Sequence, residues 1–122
     1  MARILIAEDE PDIRELIAFL LELEGHEVLQ AQDGLEAVEQ ARREKPDFIL
    51  LDVRMPRMTG YEACRIIKQD PALGHIPVVF LSAKGQEAEV QAGYDAGADA
   101  YLLKPFEAED LIQTVNRFVG QA

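Results

Sequence analysis

The feature that most constrains this chain is an alternation. A short apolar run is followed by a helical pattern five times in succession within 122 residues. The runs cover residues 4–7, 27–31, 48–53, 77–81 and 100–103. Three of them are continuously apolar rather than alternating, which suits strands covered on both faces of a parallel sheet. In the first helical pattern Ile13, Leu16, Ile17 and Leu20 recur at helical spacing as one buried face, and Gly25 stands where the helix should stop. Leu35, Val38 and Ala41 form a thinner stripe in a second helix that must end before Pro46. Gly60, Ala63, Cys64 and Ile67 define a third, and Leu111, Val115 and Phe118, flanked by Ile112 and Val119, define the last. The fourth pattern, residues 87–97, is the poorest: Gly93 and Gly97 weaken it, and Val90 and Tyr94 supply nearly all its apolar side. It is expected to be the most mobile helix.

A strand–helix order repeated in this way, with right-handed crossovers, predicts an α/β doubly wound sandwich with helices on both faces of one sheet. A chain of this size has room for a single domain and can bury roughly two-thirds of its unfolded surface. Sheets of this kind bind ligands beyond the carboxyl ends of their strands, so function is sought where each strand stops. The first strand ends in Glu8-Asp9, the third at Asp52, the fourth in Ser82-Ala83 and the fifth in Lys104-Pro105. If the first and third strands are neighbours, three carboxylates meet at one rim. Two carboxylates ~4 Å apart repel by ~4 kcal/mol at an effective dielectric near 20. Unless one of them holds a proton, such a cluster needs a cation. Oxygen ligands without His or Cys favour a hard ion, and few protein ligands beside a phosphate favour Mg²⁺ over Ca²⁺.

Taken singly, each residue has a plainer explanation. Glu8, Asp9 or Asp12 could cap the helix that starts near Pro11. Ser82 could be an ordinary strand-terminal hydroxyl, Lys104 a solvated amine, and Tyr101 a half-buried strand aromatic. Asp52 is harder to dismiss, because it ends Phe48-Ile49-Leu50-Leu51, a buried central strand on its pattern, where a carboxylate is costly unless something answers it. The conjunction of acids, hydroxyl and amine at one end of one sheet favours a functional site.

These residues carry a resemblance. From Ile4 to about Val119 the chain resembles the receiver domain of bacterial two-component response regulators, of the chemotaxis-regulator kind. The matching elements are Glu8-Asp9, Asp52, Met55-Pro56, Gly60, Ser82-Ala83, Gly97-Ala98-Asp99-Ala100-Tyr101 and Lys104-Pro105-Phe106. The resemblance implies a flavodoxin-like fold with strand order 2-1-3-4-5. It implies that Asp52 is the phosphoacceptor, that Asp9, Asp52 and the backbone carbonyl of Arg54 bind Mg²⁺, and that Glu8 acts through a water on the ion. Lys104 and Ser82 would contact the phosphoryl group, and Tyr101 would be the switch aromatic, turning inward from a solvent-facing position. A cis Lys104–Pro105 bond rests on the resemblance alone. The face of the fourth helix, fifth strand and fifth helix would be the readout surface, with the weak fourth helix as its bistable element. Partners would be a sensor histidine kinase or phosphotransfer protein upstream and an effector protein or output domain downstream. The protein would be a monomer, with weak dimerisation through the readout face open to it.

The chemistry agrees with that carry-over. A carboxylate can attack phosphorus and hold the product as a mixed anhydride, and the transfer asks chiefly for positioning and charge neutralisation. Arg54 and Lys84 border the path of any attacking water and are expected to slow loss of the phosphoryl group. Two other readings compete. An aspartyl-nucleophile, metal-dependent phosphohydrolase wants an acid two residues after the nucleophile, where this chain has Arg54. A docking module independent of phosphorylation would not need the full set of site residues. A flavin or nucleotide site fits poorly with the anionic first loop. The protein is therefore expected to be a signalling domain, not an enzyme beyond its own phosphorylation and slow dephosphorylation.

Composition narrows the rest. Twelve Lys+Arg against 23 Asp+Glu leave a net charge of −11, which argues against a direct grip on nucleic acid or an anionic membrane. The longest apolar run, 16–21, is too short to span a bilayer. One cysteine, Cys64, fits a reducing cytoplasm and inert packing. His26 and His75 stand isolated, without a cluster that would make either a base or a ligand. No output segment is recognisable, so residues 1–122 read as one receiver domain.

Overall fold

Neighbouring strands of the sheet are parallel, as crossovers through helices allow. The computed structural model describes residues 2–83 and 87–120. Strands β1 (Arg3–Ala7), β2 (Glu27–Ala31), β3 (Phe48–Asp52), β4 (Val78–Ala83) and β5 (Ala100–Lys104) alternate with helices α1 (Pro11–Leu23), α2 (Gly34–Glu44), α3 (Gly60–Gln69), α4 (Glu87–Asp95) and α5 (Ala108–Val119). The strands lie in the order β2-β1-β3-β4-β5, the doubly wound flavodoxin-like arrangement expected.

Every residue of β3 is buried, because this central strand has helices over both faces. Side chains alternate between the two. Ile49, Leu51, Val78 and Phe80 pack with Ala37, Val38, Ala63, Cys64 and Ile67 of α2 and α3. Phe48, Leu50, Val79 and Leu81 pack with Ile17, Ala18, Leu21, Leu111 and Val115 of α1 and α5. Each fully buried Leu, Ile or Phe in these layers contributes ~1.5–3 kcal/mol of burial free energy.

The helices follow the sequence patterns with three corrections. In α1 the buried residues are Ile17, Ala18 and Leu21, and Leu16 is 54% exposed. That helix carries apolar residues around much of its circumference, so spacing alone does not pick the face that meets the sheet. In α2 Ala37 joins Val38 and Ala41 inside, and Leu35 lies at the surface, 37% exposed. Small residues let α2 approach the sheet closely where leucine would hold it away. In α4 it is Gly93 that is buried, while Tyr94 is 47% exposed. The pattern of α3 is as expected, with Gly60, Ala63, Cys64 and Ile67 inside. In α5 Leu111 and Val115 are buried and Phe118 is half-buried against Phe48.

Caps mark where helices begin. Asp33 caps α2 by accepting the Glu36 amide, and Thr59 with Glu62 forms a reciprocal capping box on α3. α1 starts instead with Pro11, after Glu10, and has no side-chain cap. Neither Glu8 nor Asp9 is spent on that helix end as its capping residue. Gly25 ends the α1 turn at φ +91, a left-handed conformation that favours glycine.

Candidate functional site

Strand register brings the distant acids together. Ala7 of β1 pairs with Leu51 of β3, so Glu8 and Asp52 leave their strands at the same level. Asp52 pairs with Leu81 of β4, and Ser82 and Ala83 pair with Leu103 and Lys104 of β5. Glu8, Asp9 and Asp52 each offer a carboxylate oxygen within 4.8 Å of the others. Glu8 and Asp52 are buried and Asp9 is exposed. The Lys104 ammonium reaches in from the end of β5, 3.1 Å from Glu8 Oε1 and 3.3 Å from Asp52 Oδ1. The peptide bond after it, Lys104–Pro105, is cis, as the resemblance implied. Asp9, Asp52, Arg54, Ser82 and Lys104 share a cleft of about 290 Å³ with Glu10, Val53 and Leu81.

The electrostatics follow from burial. Burial pushes the Glu8 carboxyl above its ordinary value, and the Asp52 charge pushes the same way against the Glu10 amide and Lys104. Burial also raises Asp52, with the Lys104 ammonium opposing it. Asp9 is raised by desolvation and by its neighbour Glu8. Burial alone would lower the Lys104 ammonium, but Asp52 and Glu8 together hold it above its ordinary value. Among the described residues Glu8, Asp9 and Asp52 gather around the Lys104 ammonium, and these acids offer only oxygen donors. That donor set fits a small hard divalent cation. Glu8, Asp9 and Asp52 could hold such an ion.

Second-row contacts hold the rim in place. The Glu8 Oε2 accepts the Glu10 amide at 3.1 Å, which folds the first loop back on itself. Arg14 of α1 donates to the Glu8 carbonyl at 2.8 Å and to Gln30 Oε1 at 3.1 Å. Ser82 is buried at the end of β4. The Gly60 amide donates to the Val53 carbonyl at 3.0 Å, and a Cβ on Gly60 would overlap the Asp52 carbonyl oxygen. Only glycine allows α3 to start that close to the strand end.

Tyr101 is placed differently from the expectation. It is half-buried, with ring centroids 5.7 Å from Phe80 and 5.2 Å from Tyr94. Its hydroxyl lies against the backbone of Gly93, where a Cβ would overlap it. The solvent-facing position is therefore not the one seen, because the bare Gly93 backbone leaves a seat for the phenol under α4.

His26 and Cys64 lie apart from the acids. His26 accepts the Ala2 amide on Nδ1 at 3.1 Å, far from the acids. Burial pushes the Cys64 thiol up to about 11, which keeps it protonated and inert. Lys84 lies outside the described residues. Sequence reasoning passed over Arg14, Asp33 and Arg57. The Asp33-Gly34 pair opening a helical pattern was a readable cap signal. Nothing local announces Arg14 or Arg57, whose partners lie 6 or more positions away in the chain.

The family model described as "Response regulator receiver domain" matches residues 4–116. The chain is 41% identical over 116 residues to protein PilH of Pseudomonas aeruginosa, covering 95% of this chain and 96% of that one. It spans about half the length of several other curated relatives it matches, 48% in one case. A putative response regulator from Chloroflexus aurantiacus superposes with a TM-score of 0.94 at 33% identity, over 98% of both chains. The receiver domain of the sensor histidine kinase PA1611 from Pseudomonas aeruginosa, solved with a magnesium ion coordinated in its active-site cleft, gives 0.91 at 32% identity over 98% of both chains.

Proposed function

Because this chain belongs to the response regulator receiver family of two-component systems, a signalling family whose standard role is to accept a phosphoryl group, we propose that Asp52 is its phosphoacceptor. The donor is a histidine kinase or phosphotransfer protein. A carboxylate oxygen of Asp52 bonds to phosphorus as the donor's P–N bond breaks, and the imidazole leaves with the bonding pair and takes up a proton from water. Lys104 turns its ammonium from the carboxylates to one phosphoryl oxygen, and the Ser82 hydroxyl donates to another. Asp9, Asp52 and the Arg54 carbonyl, with Glu8 behind them, would hold Mg²⁺, which would neutralise the remaining charge and favour the ionised form of Asp52. The magnesium ion in the cleft of the PA1611 receiver supports that assignment.

The observation that carries the reading is the Lys104 ammonium held within 3.3 Å of two buried carboxylates at one rim, with a third acid beside them. A structural salt bridge would need one acid. Two buried acids with a third, exposed one beside them, gathered on one ammonium, make an arrangement that is improved by a further cation and an anionic group for the amine to meet.

Phosphorylation then acts on the fourth helix and fifth strand. As the Ser82 hydroxyl turns to the phosphoryl group the end of β4 follows, and the packing of Tyr101 between Phe80, Tyr94 and Gly93 is repacked. The face of α4, β5 and α5 passes that change to an effector protein or output domain. The domain catalyses only its own phosphorylation and slow dephosphorylation. Among the described residues no helix is long and apolar enough to cross a membrane, and we assign the protein to the cytoplasm, where the kinase presents its phosphohistidine.

The test is incubation with Mg²⁺ and acetyl phosphate or a beryllofluoride mimic, following the Tyr101 resonances by NMR. A Tyr101 change that requires Mg²⁺ and disappears in Asp52→Asn supports the reading. A change that survives the substitution, or needs no Mg²⁺, refutes it.

A further inference from the structure

Asp33 is a buried carboxylate, 5% exposed, for which phosphoryl transfer has no use. Its Oδ1 accepts the Glu36 amide at 2.8 Å as the cap of α2. Its Oδ2 accepts from two nitrogens of Arg57, Nη2 at 2.7 Å and Nε at 3.0 Å. Burial pushes the Asp33 carboxyl up, but the Glu36 amide and the Arg57 guanidinium together hold it below its ordinary value. It is a charged partner over the whole neutral range.

Arg57 lies in the loop 53–59 that joins β3 to α3, and its φ of +65 falls in the left-handed region where a side chain is strained. Gly34, next to Asp33, has no room for a Cβ because it would overlap the Met58 carbonyl oxygen. The start of α2 and the loop after Asp52 thus meet backbone to backbone, with the two-pronged ion pair beside the contact. The same loop carries Arg54. It lines the cleft shared with Asp9, Asp52, Ser82 and Lys104, and also a second one of about 590 Å³ bounded by Asp9, Met55, Pro56 and Tyr61.

We propose that the Arg57–Asp33 pair is a strap that pre-sets the loop 53–59, so that the Arg54 carbonyl is presented to the divalent cation alongside Asp9 and Asp52. This rests on the reading of the site given above. Arg57 and Asp33 are positioning residues, for both act through the backbone of Arg54. A carbonyl on a seven-residue loop loses affinity for a cation in proportion to the time the loop spends elsewhere, and a tether fixed before binding removes that ordering cost. Glycine would adopt the backbone of position 57 without strain. Arginine there gives up that ease and gains an anchor on α2, whose own position is set by Val38 and Ala41 in the core.

The experiment uses the full chain as wild type, Arg57→Gly, Arg57→Lys, Asp33→Asn and the Arg57→Gly/Asp33→Asn double variant. Glycine keeps the backbone conformation while removing the strap, and asparagine keeps the cap acceptor while removing the charge. Mg²⁺ affinity is measured by calorimetric titration, amide shifts by NMR without metal, and the unfolding midpoint by circular dichroism. The dissociation constant for Mg²⁺ is expected to rise about three- to tenfold in each of Arg57→Gly and Asp33→Asn. Arg57→Lys should fall between, and the double variant should be no weaker than the worse single one, since each removes the same tether. The backbone amides of residues 53–55 and 57–59 should shift in Arg57→Gly, while its circular dichroism before unfolding stays that of the folded wild type. Wild-type binding of Mg²⁺ with both single variants within about twofold of it would overturn the strap alone. Losses that add in the double variant would do the same. Failure of the wild type to bind Mg²⁺ at all would overturn the site reading and the strap with it.

Discussion

Replacing Asp52 by asparagine should make the metal-free protein more stable, and the size of the gain can be worked from the site. At an effective dielectric near 20, the contact of Asp52 with Lys104 at 3.3 Å is worth ~5 kcal/mol of attraction. Against it stands Glu8, with a ligand oxygen within 4.8 Å, which repels an ionised Asp52 by at least ~3.5 kcal/mol. Asp9 repels it too, less strongly because Asp9 is exposed and screened. The pairwise effects nearly cancel. What remains is the cost of holding a buried carboxylate away from water, in keeping with the upward shift of Asp52 led by burial. An amide of the same shape escapes most of that cost, so Asp52→Asn should stabilise by ~1–3 kcal/mol at neutral pH. For a chain of this size that is a rise of roughly 5–10 °C in Tm.

The sign of the pH dependence follows from the same shift. Asp52, Glu8 and Asp9 are all raised in the folded protein, which therefore holds more protons than the unfolded chain just above the ordinary carboxylate range. Wild-type stability without metal falls as pH rises through that window, and the advantage of Asp52→Asn grows with it. Below about pH 4 both states are protonated and the advantage vanishes. Thermal unfolding by far-ultraviolet circular dichroism suits a chain with no tryptophan. Adding Mg²⁺ should then narrow or reverse the order, since a ligand at a hundred times its Kd adds ~2.7 kcal/mol and the wild type has the better site. A lower Tm for Asp52→Asn in EDTA at neutral pH, or an equal gain from Mg²⁺ in both proteins, would show that the cluster is not the charge-stressed site described.

Three further outcomes are expected. Lys104→Met removes the one ammonium between Glu8 and Asp52 and should cost roughly 1–3 kcal/mol of metal-free stability in denaturant unfolding. It should also slow phosphorylation by acetyl phosphate at least ~10-fold while Mg²⁺ binding tightens, because a competing cation is gone. Gly93→Ala favours an isolated helix, yet here its Cβ overlaps the Tyr101 hydroxyl. It should push the phenol from its seat, seen by NMR as loss of the contact between the Tyr101 and Phe80 rings; an unchanged contact would refute the packing described. Arg54→Asn should speed loss of the phosphoryl group about 10-fold in a timed decay, since an amide can align water where a guanidinium excludes it; slower loss would show that Arg54 does not shield the site.

How far the sequence reveals the molecule differs from element to element. The buried strand 48–52 is plain, because a strand covered on both faces has no polar position to break its apolar run. The face of α3 is plain too, since Gly60, Ala63, Cys64 and Ile67 recur at helical spacing as one stripe. The face of α1 is not, because Ile13, Leu16, Ile17, Phe19, Leu20 and Leu21 wrap the helix and leave several faces equally apolar. In the site, Glu8, Asp9, Asp52 and Lys104 stand out by their places at strand ends. The seat of Tyr101 does not, since it depends on a glycine in α4 whose role is to be absent as a side chain. Arg57 is hidden for another reason: its partner is 24 residues away, at the cap of α2.

Periodicity and the placement of polar residues at strand ends are local properties, written at separations of one to seven residues. From them came the alternating fold, the rim where the strands end and the acids gathered on it. Distances, protonation and the strapping of loops are pair properties, decided only when register sets Ala7 beside Leu51 and Ala83 beside Lys104. Coulomb energy and desolvation depend on that spacing, which no linear string contains. Three acids and an amine were there to be read; that burial pushes Glu8 and Asp52 above their ordinary values is a consequence of tertiary structure.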